Sequence, residues 1–104
     1  MGYRLEVSEL KYKMCCGKLF GYVDTYNLES YRWLVDNNYL SGDKLEEYFD
    51  YGYEGNIVLS AEKFKEFIEI YIKDLKKHKM PDFIEDKDIE EIVKNDNYVI
   101  LQWG

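Results

Sequence analysis

From Ser60 onward, Phe64, Phe67, Ile68, Tyr71, Ile72 and Leu75 recur at i, i+3, i+4, i+7, i+8 and i+11. That spacing places them on one face of an α-helix. No strand can gather those side chains on a single face, because strand residues alternate with a period of two. Ser60 is suited to cap the helix, Glu62 lies in its first turn, and Lys76, Lys77, His78 and Lys79 lie at its end. Acid at the start and base at the end both complement the helix dipole. Pro81 stops further helix. A helix with one apolar face needs a second layer to bury it, and the rest of the chain must supply that layer.

The flanking segments read as strands. Tyr3, Leu5 and Val7 alternate with Arg4, Glu6 and Ser8. The phase then slips at Ser8-Glu9, so that Leu10, Tyr12 and Met14 fall on even numbers, which predicts either a β-bulge there or the end of one strand and the start of another. Cys15-Cys16-Gly17-Lys18 is the expected hairpin turn, and 19–23 the returning strand. Ile57-Val58-Leu59 is a short apolar run consistent with an inner strand, and 98–103 form a last strand after the turn Asn95-Asp96-Asn97.

Three further helices are expected. Leu28, Tyr31, Leu34 and Val35 make a stripe ending near Asn37-Asn38, with caps offered by 24–27. Asp43 and Glu46 have capping-box spacing ahead of Leu45, Tyr48 and Phe49, as do Asp88 and Glu91 around Ile89, Ile92 and Val93. Residues 50–56, with Gly52 and Gly55, read as a loop. The element order β-β-α-α-β-α-α-β predicts an α+β fold: a small antiparallel or mixed sheet, built from the N-terminal hairpin, a short middle strand and the C-terminal strand, with helices packed on one face. A chain of 104 residues forms one such domain over 1–104.

Composition bounds the function. Eleven tyrosines, five phenylalanines and two tryptophans exclude a disordered chain. No run approaches the roughly 18 apolar residues that span a bilayer. The first residues alternate apolar with charged and lack a signal peptide's apolar run, and Glu6 stands where a myristoylation signal wants Ser or Thr, so a cytoplasmic protein is expected. The net charge of −7 opposes direct nucleic-acid binding and an anionic membrane surface. The acidity is concentrated. Residues 36–62 hold seven acids and one base, and 80–104 hold seven acids and two bases, whereas 63–79 hold six bases and three acids.

No catalytic, metal or cofactor motif emerges. Adjacent Cys15 and Cys16 are too close for an unstrained disulfide and point to opposite faces of a strand, which favours reduced structural thiols over a redox or metal site. His78, the one histidine, sits among lysines at a helix end, as a dipole-complementing cap. Asp86, Asp88, Glu90 and Glu91 lack the glycine of a calcium loop, and the 50–55 glycines lack the lysine of a phosphate cradle. The balance therefore favours a binding protein over an enzyme.

Two features point to partners. Glu46, Glu47, Asp50, Tyr51, Tyr53 and Glu54 interleave tyrosines with carboxylates, which suits an Arg/Lys-rich protein surface through ion pairs and cation–π contacts. Trp33 and Ile70 fall off their helical stripes, Trp33 nearly opposite its own, and mark a contact with a partner chain unless another part of the fold covers them. The leading expectation is a small acidic protein-binding module, an inhibitor or nucleic-acid mimic, presenting 43–56 to a basic partner. Small acidic inhibitors of phages and mobile elements share this character of composition. The alternatives are a small-molecule-binding or enzymatic domain with a pocket lined by tyrosines and carboxylates, and a homo-oligomeric structural protein, with a homodimer as its simplest form.

Overall fold

A computed structural model of the chain describes residues 3–10, 18–23, 28–44, 57–80 and 84–103. They form the expected α+β fold. Strands β1 (Tyr3–Leu10), β2 (Lys18–Val23), β3 (Ile57–Leu59) and β4 (Tyr98–Trp103) make one sheet in the order β2-β1-β4-β3, with every pairing antiparallel. Helices α1 (Glu29–Asp36), α2 (Ala61–Lys77) and α3 (Asp86–Asn95) pack together, and α2 lies on the sheet. A 3-10 turn spans Gly42–Lys44, where a longer helix from Asp43 was expected; the remainder of that helix, 45–49, lies outside the described residues.

Alternation decides which side of the sheet meets the helices. Leu5, Val7, Ile57, Leu59, Val99 and Leu101 are all odd-numbered, and register brings them to one face. There they join the α2 stripe Phe64, Phe67, Ile68, Tyr71 and Leu75, with Tyr31 and Leu34 from α1, in one buried cluster. On the opposite face the cross-strand partners Ser8 and Ile100 are also buried, though Ile100 is no part of that cluster.

The break expected at Ser8-Glu9 is absent. Strand β1 keeps an unbroken register with β4 from Leu5 opposite Trp103 to Leu10 opposite Tyr98. The irregularity lies instead between β1 and β2: Leu5 faces Gly21 and Glu6 faces Leu19, so Phe20 is the extra residue of a bulge. Glu9 holds an inward position because it is at the rim, where its Oε2 accepts from Nδ2 of Asn95 and Nδ2 of Asn97, each at 3.2 Å. A polar residue at the end of an inner face thus ties the strand to a turn, which apolar periodicity misreads as a change of phase. The N-terminal strand does pair with the returning one, but Val7 stands opposite Lys18, with 8–17 between them, whereas a turn at Cys15-Cys16-Gly17-Lys18 would set Met14 opposite Leu19. Lys18 itself belongs to β2, and Cys15, Cys16 and Gly17 lie outside the described residues.

Among the described strands β3 lies at the edge of the sheet, not inside it. Its Ile57 and Leu59 are buried, but Val58 between them is 42% exposed. Helix α2 begins as expected, with Ser60 Oγ accepting from Lys63 N at 3.2 Å. Helix α3 starts three residues earlier than its capping box predicts, after Glu85 and not Asp88, and the Glu85 side chain makes no capping bond.

Both α1 and α2 end in the same way. Asn38 (φ 65) and Lys79 (φ 54) are left-handed. Asn38 N donates to Val35 O and Tyr39 N to Leu34 O; Lys79 N donates to Lys76 O and Met80 N to Leu75 O. These are paired Schellman bonds, and the residue after each left-handed position, Tyr39 or Met80, packs onto the core cluster.

Candidate interaction surface

The side chains of α1 are placed by α2. The residue preceding α1, Leu28, offers no capping side chain, and the 24–27 residues expected to do so lie outside the described ones. The cap comes from Asp74, 44 residues further along than Ser30. Its Oδ2 accepts from Ser30 N at 2.9 Å and from Ser30 Oγ at 2.5 Å, and its Oδ1 accepts from Glu29 N at 3.2 Å. Asp74 is 3% exposed and Ser30 fully buried. A carboxylate beside the N–H groups of a helix start is favoured by hydrogen bonding and by the helix dipole together. Periodicity alone does not reveal this contact, although a signal for it is present: Asp74 lies about 20° beyond Phe67 at the edge of the apolar stripe, an acid at a buried position.

One turn along α1, Trp33 meets Phe67 of α2 at a ring-centroid distance of 6.0 Å, and stacks on Tyr39 at 5.8 Å with the planes 19° apart. Trp33 is half-buried and packed against the core cluster, so the fold covers part of it. Ile70 is also half-buried, but it is not among the residues packed on that cluster. The tertiary packing thus brings the two off-stripe residues to the same pair of helices. The other expected contact residues, Glu46, Glu47, Asp50, Tyr51, Tyr53 and Glu54, lie outside the described residues.

Among the described residues, acidity is displayed most densely around α3. From Glu85 to Asp96 there are six carboxylates against Lys87 and Lys94, and Glu85, Asp86, Glu90, Glu91 and Asp96 are exposed. Lys87 Nζ lies 3.0 Å from Glu85 Oε2. The side-chain hydrogen bond to Glu85, followed by the charges of Glu85 and Asp88, raises the Lys87 ammonium above its usual pKa. Both side chains are largely exposed, and the pair is worth little to stability.

Tyr98, 58% exposed, and Val58 flank Ile100 on the sheet face away from the helices. Tyr98 also joins Ser60, Ala61 and Asp96 around a shallow opening of about 200 Å³. Among the described residues, no group of three or more His, Cys, Asp or Glu is gathered for a metal ion, and no helix is long and apolar enough to cross a membrane. No family model, curated protein or solved structure matches this chain.

Proposed function

We propose that this chain is a small protein-binding module that engages a basic partner surface through carboxylates, with its acidic, tyrosine-rich 43–56 region as the principal contact. The observation that carries this reading is the concentration of charge: seven acids against one base in 36–62, and six against two from Glu85 to Asp96. Clustered carboxylates speed and orient the approach of a basic surface, while interleaved tyrosines bury area at low entropic cost. The opening at Ser60, Ala61, Asp96 and Tyr98, at about 200 Å³, is smaller than the roughly 300–1,000 Å³ of small-molecule sites, so that opening is not itself such a site.

A sharper form of the proposal is nucleic-acid mimicry, in which carboxylates occupy phosphate positions on a DNA- or RNA-binding protein. Affinity capture from a lysate across a salt series tests both forms. Capture is expected to fall with rising salt and to be lost when Glu46, Glu47, Asp50 and Glu54 are reversed to lysine. Competition by DNA or RNA for the captured protein separates the mimic from a general basic-surface binder. Capture insensitive to salt and to the charge reversals overturns the proposal.

A further inference from the structure

We infer that the outer side of the α1–α2 seam seats a second copy of this chain, each copy laying its α2 lysines over the α1 carboxylates of the other. The two helices run antiparallel: Ser30 near the start of α1 meets Asp74 near the end of α2, and Trp33, one turn on, meets Phe67 further back. At about 100° per residue, Ile70 lies roughly 40° from Asp74 and 60° from Phe67, on the side away from Tyr71 and Leu75. Trp33 lies about 60° from Ser30, on the side away from Tyr31. The core-facing side chains fix one side of the seam, so Trp33 and Ile70 both turn to its other side. Two half-buried apolar residues thus mark a single surface.

The charges around them differ in sign between the helices. On α2, Lys63, Glu66, Ile70, Lys73 and Lys77 follow one another at alternating steps of three and four, the spacing of a seam that meets a partner helix. Lys63 and Glu66 pair with each other at 3.2 Å, so Lys73 and Lys77 set the sign of that rim, and their stems extend its apolar area. On α1, Glu29 and Asp36, both exposed, stand four residues before and three after Trp33. An acidic rim, an apolar centre and a basic rim are complementary to a second copy related by a twofold axis along the helices. That axis lays α1 of one copy over α2 of the other, antiparallel, as in a four-helix layer. A twofold across the helices would set acid on acid and base on base. Repulsion from the net charge of −7 is screened beyond about 8 Å at physiological salt, which leaves the contact itself to decide the pairing.

Sedimentation equilibrium of the full chain tests this, with circular dichroism confirming the fold of each variant. The wild type is expected to show a concentration-dependent dimer, and Ile70→Glu to abolish it. Glu29→Lys with Asp36→Lys makes both rims basic, and Lys73→Glu with Lys77→Glu makes both acidic. Each double variant is expected to weaken self-association about tenfold or more, and a one-to-one mixture of the two to recover the dimer. A chain that stays monomeric at every concentration overturns the inference, as does a dimer whose mixed variants fail to recover. None of these substitutions touches 43–56, so capture of a basic partner succeeds or fails independently.

Discussion

The carboxylate of Asp74, late in α2, holds the start of α1 by accepting from both the backbone N–H and the hydroxyl of Ser30. A helix of eight residues is too short to persist on its own. Here its first turn is fastened to the most regular element of the fold, and the orientation of Trp33 follows from that attachment.

Removing this cap should cost more than removing an ordinary one. Asp74→Ala leaves the Ser30 hydroxyl and N–H buried without their acceptor, and about 2–3 kcal/mol of stability is expected to go with it. Ser30→Ala removes one hydrogen bond and should cost about 1 kcal/mol. Urea denaturation of both single variants and the double variant checks this. A coupling energy near zero would show that the two side chains act separately.

Lys79 occupies a left-handed position that glycine adopts without a steric cost. Lys79→Gly keeps the two backbone bonds that close α2 and should raise stability by about 0.5–1 kcal/mol, read as an increase in Tm. The same change at Asn38 should do less, because asparagine already tolerates this conformation.

Phe67 supports the core and the Trp33 ring together. Phe67→Ala should destabilise the chain by about 3–5 kcal/mol. In whatever fraction stays folded, the near-ultraviolet circular dichroism of the tryptophans should weaken. An unchanged spectrum would contradict the packing of Trp33 on this residue.

Ile100 and Val58 are cross-strand partners on one face of the sheet, yet Ile100 is 4% exposed and Val58 42%. Ile100→Ala is therefore expected to cost about 2–4 kcal/mol, as for a core residue. Val58→Thr should change stability by no more than about 0.5 kcal/mol. Thermal melts of the pair distinguish a sheet buried on two faces from one buried only beneath the helices.

Much of this fold is legible in the sequence, because the physics that sets it is local. The α2 stripe, its Ser60 cap, the alternation of β1 from Tyr3 to Val7 and the turn at Asp96 each depend on residues within a few positions, most within a single turn or strand, whereas the register of β1 on β2 does not follow from the turn residues. The concentration of acid in 36–62 and 80–104 is equally legible, since charge is additive along a chain. What remains open in the sequence depends on contacts between distant residues. Alternation finds a strand but not its neighbours, so the apolar run at 57–59 suggests an inner strand, whereas β4 lies between β3 and β1 and leaves β3 at the edge among the described strands. Glu9 breaks the apolar pattern without breaking the strand because its partners, Asn95 and Asn97, are far away in sequence. Asp74 is one acid on a long helix until packing sets it at the start of another. Trp33 and Ile70 are separate anomalies on separate helical wheels; the antiparallel docking of α1 on α2 turns them to the same side. Local spacing determined most of the elements that form and the face that α2 buries. Only the tertiary structure decided which elements touch, because pairing energy depends on surfaces that the chain brings together after tens of intervening residues.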